Sequence, residues 1–149
     1  PLGIVGQKER VFFRERLAAL GLGLEDRMEN PVGLLSGGQR QALTLLMATL
    51  VAPKLLLLDE HTAALDPATA EKVQTLTKEI AAERGITCMM ITHNISAALE
   101  LGNRTLMMDR GRIVLEFAGA ERAGMSVPRL LELFKEKVSR ELDNDRMLL

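Results

Sequence analysis

With 149 residues, 47% of them hydrophobic and 26% charged, the chain has the makings of one ordinary folded domain and argues against long disorder. A net charge of -1 offers no field to gather nucleic acid or an anionic membrane surface, and aromatics at 3%, all Phe, exclude a base-stacking platform. No apolar run approaches the ~20 residues that cross a bilayer, so direct membrane insertion is not expected, and a lone Cys88 excludes an internal disulfide.

Val11, Phe12, Leu17 and Leu20 recur near helical spacing, which predicts a helix from Gln7 to Leu20 stopped by Gly21. The stretch from Gly21 to Leu35, with Asn30 and Pro31, reads as loop. Ser36 then opens a second helix: Gln39 lies three residues on, the spacing of a capping box, and Ala42 to Ala52 is apolar on most sides, which predicts burial. Leu55 to Leu58, bounded by Pro53 and Asp59-Glu60, suits a buried parallel strand. Asp66-Pro67 caps a helix running to about Arg84, and Ile86 to Thr92 forms a second buried strand with His93 at its end. A short helix from Ile95 to Leu101, a hairpin around Asp109-Arg110-Gly111 and an amphipathic helix from Ser126 complete the chain. Met107 and Met108 are expected as core filler. Strand and helix in alternation imply an α/β domain with parallel strands.

Ligands of α/β sheets gather beyond the carboxyl ends of parallel strands, where Asp59-Glu60 and His93 fall. Adjacent carboxylates on extended backbone point to opposite sides, so one could face a metal–phosphate pocket and the other an attacking water. Two glycines after Ser36 lower helix propensity by about 1 kcal/mol each, which capping does not explain. They would let backbone amides approach an anion closely.

Leu35-Ser36-Gly37-Gly38-Gln39 resembles the signature motif of ATP-binding cassette (ABC) ATPases. Leu55 to Glu60 resembles their Walker B segment, Ala63-Ala64-Leu65-Asp66 their D-loop and Thr92-His93 their H-switch, all in the family's order and spacing. The resemblance implies part of a P-loop NTPase sheet with flanking helices. Residues 1–50 would be a remnant of the helical subdomain, and 51–149 the second half of the catalytic subdomain. It implies that Asp59 holds Mg2+ through water, Glu60 is the general base and His93 contacts the γ-phosphate. Ser36, Gly37, Gly38 and Gln39 would meet the ATP of an opposite subunit in a head-to-tail dimer, with Asp66 at the interface. The whole would be the ATP-hydrolysing subunit of an ABC transporter, a bacterial small-molecule importer, working with permease subunits at the cytoplasmic face of the membrane.

Two departures stand out. His61 replaces the usual proline after the glutamate, which leaves that loop less restricted; it is expected as an exposed loop histidine. Ala63 replaces the D-loop's common serine. No Gly-Lys dipeptide occurs among the 149 residues, so no phosphate-binding P-loop is present in them, and the Q-loop glutamine cannot be placed. Alone, the chain is therefore expected to bind ATP and Mg2+ poorly and not to hydrolyse ATP. A strand missing beside the one that ends in the H-switch would leave backbone unpaired and favour association with another chain. The alternatives are a non-catalytic module that supplies a signature motif in trans, and a non-transport ABC ATPase.

Overall fold

The computed structural model describes the backbone of residues 6–146 and side chains as far as residue 139. Two compact units meet in the chain at Ile91/Thr92.

The first unit begins with helix α1, Gln7–Ala18, which the left-handed Gly21 (φ +63°) follows. The loop beyond it tightens into a 3-10 turn at Val32–Leu34 and delivers Ser36 to the start of α2, Gly37–Thr49. Strand β1, Leu55–Asp59, is followed by α3, Pro67–Glu83, and strand β2, Thr87–Ile91. β1 and β2 pair in parallel from Leu55↔Thr87 to Asp59↔Ile91, with α3 as the crossover that parallel pairing needs. Gly38, Ala42, Leu45, Leu46 and Thr49 are the buried residues of α2, a single stripe at helical spacing. That stripe joins Leu17, Leu20, Leu56 and Leu76 in one apolar cluster. Fully burying a leucine such as Leu56 stabilises the fold by roughly 1.5–3 kcal/mol. The Arg10–Glu29 and Arg14–Asp26 pairs tie α1 to the loop at 2.7 Å, but all four side chains are mostly exposed, so each contributes at most about 1 kcal/mol.

Burial differs from expectation in two places. α2 is not covered on most sides, because Met47 (69% exposed) lies outside the stripe. The strands are not buried on both faces either. In parallel register, Leu55, Leu57, Met89 and Ile91 share one face, and all are about half exposed or more. Leu56, on the opposite face, is 6% exposed, so the leucine run of β1, typical of a doubly covered sheet, has cover on one side alone.

The second unit holds α4, Ile95–Glu100, strands β3, Arg104–Asp109, and β4, Arg112–Ala118, then α5, Gly119–Ala123, and α6, Val127–Arg146. The hairpin turns through Arg110 (φ +44°) and Gly111 (φ +77°), the two positive-φ positions of a two-residue turn matched to strand twist. The register slips between Met107 and Met108. α6 packs on β4 and α4, with Leu130 and Phe117 buried. Met108, beside the turn, is 58% exposed and not core filler, since it lies at the open end of a two-stranded ribbon. Arg122 of α5 donates to Thr105 Oγ1 (2.9 Å) and the Leu101 carbonyl (2.6 Å), joining α5 to β3 and to the end of α4.

Candidate functional site

The start of α2 is built by its own sequence. Ser36 Oγ accepts from the Gln39 amide at 3.3 Å, and Gln39 Oε1 accepts from the Ser36 amide at 3.0 Å, the reciprocal capping box. Gln39 Nε2 donates to the Leu22 carbonyl (3.1 Å) and Arg40 to the Leu35 carbonyl (2.8 Å), so both long side chains fasten this segment to its own unit. Ser36 and Gly37 are exposed, whereas Gly38 is buried. A Cβ on Gly38 would stand 2.1 Å from Thr69 Cγ2. Close approach of α3 therefore accounts for the second glycine without any anion.

Thr69 belongs to the first turn of α3, where Asp66 Oδ1 accepts from the Thr69 amide at 3.1 Å. Hydrogen bonding to Thr69, side chain first and backbone second, holds the exposed Asp66 carboxyl below the usual carboxylate range. The signature segment and residues 65–69 are thus neighbours in one unit.

At the carboxyl end of the sheet, Asp59 is the last residue of β1 and is exposed. Glu60, also exposed, does not continue the extended alternation. Its φ is +44°, a left-handed conformation that non-glycine residues seldom adopt. Its amide still donates to the Ile91 carbonyl at 2.9 Å, extending the ladder by one bond, while its carbonyl accepts from Ala63 at 3.0 Å and closes a turn. The direction of Glu60 is thus set by a turn, not by strand pleating. Among the described residues no three of His, Cys, Asp and Glu converge as a metal site. Few carboxylates near Asp59 suit Mg2+, which keeps several of its waters and needs little from the protein beyond one carboxylate to hold them.

His93 belongs to the second unit and is exposed. Its neighbours fix the backbone: the Asn94 amide donates to Thr92 Oγ1 (3.0 Å), and Asn94 Oδ1 caps α4 by accepting from Ala97 (3.0 Å).

His61 is not the exposed loop histidine its position suggests. It is half-buried, its Nε2 lies 3.2 Å from Thr77 Oγ1 on α3, and burial pushes its imidazole below the usual value. Gln74, also on α3, donates to Thr62 Oγ1 at 3.3 Å. Thr77, Gln74 and Thr69 are the supporting residues that sequence alone missed. A polar Thr77 on the apolar stripe of Val73 and Leu76 was the available signal, but its partner lies 16 residues away.

The unit thus holds a parallel strand pair with Asp59 and Glu60 at its carboxyl end and a glycine-rich capped helix start. The ABC transporter family matches residues 6–63. The tyrosine transport ATP-binding protein of Clostridioides difficile is 45% identical over 122 residues, covering 82% of this chain and 49% of that protein. The aliphatic sulfonates import ATP-binding protein SsuB 2 of Agrobacterium fabrum is 42% identical, covering 69% of this chain and 40% of its own. Among solved structures, an ATP-binding cassette of an ABC transporter in its ADP conformation superposes with a TM-score of 0.70 at 26% identity, over 90% of this chain and 53% of that one. A bacterial ABC transporter cassette solved as a dimer gives 0.61 at 32% identity, over 79% and 50%. The chain belongs to the ABC transporter family as part of a nucleotide-binding domain of the P-loop NTPase fold. It spans about half the length of the curated relatives it matches, or less.

Proposed function

We propose that these residues form one portion of the ATP-hydrolysing subunit of a bacterial ABC importer for small molecules. Residues 1–50 would belong to the helical subdomain and 51–149 to the catalytic one. Relatives named for transport of tyrosine and import of sulfonates and methionine support the importer class.

In this reading Glu60 is the general base that takes a proton from the attacking water, and Asp59 holds Mg2+ through its water shell. Mg2+ supplies charge neutralisation on the phosphates. His93 contacts the γ-phosphate. The start of α2, where Ser36 and Gly37 are exposed and Gly38 and Gln39 follow, faces the nucleotide of a second subunit, where a hydroxyl donor and first-turn amides meet negative charge. Asp66 lies at that dimer interface. Membrane-spanning permease subunits carry the substrate and hold the ATPase at the cytoplasmic face; among the described residues no helix is long and apolar enough to cross a membrane. Phosphoryl transfer depends mainly on positioning and charge stabilisation, which is what these groups supply.

The observation that carries the reading is Glu60 in a fixed turn directly after Asp59, its amide bonded to Ile91 at the end of the partner strand. The test uses a completed subunit in which these 149 residues replace the matched portion of the Clostridioides difficile relative. Glu60→Gln should lower ATP hydrolysis by roughly 10²–10⁴-fold while ATP binding persists. Retained turnover would remove Glu60 from the chemistry. The alternative, a non-catalytic module that supplies its signature surface in trans, draws support from the half-exposed apolar face of β1 and β2. Dominant inhibition or stimulation when the chain is titrated into a complete ABC ATPase would favour the module.

A further inference from the structure

The turn that carries Glu60 needs a restraint. A left-handed residue without the freedom of glycine persists only where its surroundings over-determine it. In the resembled family a proline follows the glutamate, and a pyrrolidine ring restricts the backbone locally. His61 offers no such covalent restraint.

The structure provides another kind. Thr77 Oγ1 donates its hydrogen to the Val73 carbonyl at 2.8 Å, as a helical threonine commonly does, and so faces His61 as an acceptor. The His61 ring therefore donates from Nε2 across 3.2 Å. Thr77 is 7% exposed and Val73 1%, so the acceptor is built into the packed face of α3. One residue further on, Gln74 donates to Thr62 Oγ1, the helix now supplying the proton. Residues 61 and 62 are thus pinned to successive turns of one rigid helix, immediately after a residue whose own amide is bonded to β2.

We propose that His61 is a positioning residue for Glu60: the Nε2–H···Oγ1 bond to Thr77 replaces proline as the restraint that fixes the left-handed turn and aims the carboxylate. The proposal rests on the reading of Glu60 as general base for its catalytic consequence, but not for its structural one. It requires a donor at the position of Nε2 and an acceptor at Thr77, not an imidazole as such.

Two measurements test it. In the 149-residue chain, amide hydrogen exchange is followed at Glu60 and Ala63 and, as an internal reference, along α2. His61→Ala and Thr77→Val should each speed exchange at Glu60 and Ala63 by about tenfold, the loss expected for one hydrogen bond, with α2 little changed. His61→Gln, whose amide nitrogen sits near the place of Nε2, should restore protection. Unchanged exchange in His61→Ala, or equal acceleration in α2, overturns the proposal. In the completed subunit, His61→Ala should lower kcat by roughly 10–100-fold with little change in KM for ATP, as misplacement of a catalytic group does. His61→Gln should recover most of that loss. A raised KM at unchanged kcat contradicts the role. If Glu60→Gln proves active while exchange responds as described, the base assignment fails and the restraint stands; if Glu60→Gln is inactive and exchange does not respond, the reverse holds.

Discussion

The start of α2 and the turn after β1 both carry residues of the proposed ATP site, yet they are held by different means. At the start of α2, the Ser36–Gln39 box spans three residues and forms from its own sequence, with tethers to Leu22 and Leu35 added. The turn at Glu60 depends on Ile91, Thr77 and Gln74, which belong to β2 and α3. The first region is a local motif placed on a surface. The second is a local strain that only tertiary structure sustains. The part proposed to face another subunit is capped by its own residues, while the part proposed to activate water requires an assembled β1–α3–β2 unit.

The largest effect is expected from removing the anchor of β1. Leu56→Ala should cost about 2–5 kcal/mol in chemical denaturation, since Leu56 is 6% exposed and in the main apolar cluster. Leu57→Ala, at a residue 66% exposed, should stay within about 0.5 kcal/mol. Equal costs would mean that both faces of the sheet are covered in solution. Next in size is Gly38→Ala, whose methyl would collide with Thr69 Cγ2; a loss of about 1–3 kcal/mol is expected. Thr69→Ser removes that methyl and leaves Thr69 Cβ at 3.6 Å, so the double variant should recover much of the loss. Simple additivity would show that Gly38 is not a packing glycine. Ser36→Ala should cost about 1 kcal/mol, the value of one N-cap.

The smallest effect is the dependence on pH. Burial lowers the folded pKa of His61 below its usual 6.5, so as pH falls the unfolded chain takes up that proton first. The stability involved is complete above about pH 6.5 and is lost as pH falls through the lower folded value. Urea midpoints followed from about pH 8 to pH 5 should therefore drop further for the native chain than for His61→Gln. Parallel curves would place the ring in water.

What was legible in the sequence follows the same division. Ser36 with Gln39, Asp66 with Pro67, and Arg110-Gly111 work through neighbours within three residues, and each forms as its spacing implies. The order of strands and helices was readable because Gly21 and Gly85 take left-handed turns just beyond α1 and α3. His61 was not readable, since nothing near it in the chain marks Thr77 as its acceptor. Nor was the exposed face of β1, because a run of leucines does not record what packs on each face. The sequence suggested an anion-binding role for Gly38, and only Thr69 from another helix shows that it packs as well.

In the proposed function these residues supply the carboxylate end of an ATP site, and turnover needs a phosphate cradle that no P-loop sequence among the 149 residues provides. Radiolabelled phosphate release, measured side by side on the chain alone and on the completed subunit, tests it directly. Background release is expected from the chain alone, and turnover that Glu60→Gln abolishes is expected from the completed subunit. Brisk, Glu60-dependent hydrolysis by the chain alone would contradict it.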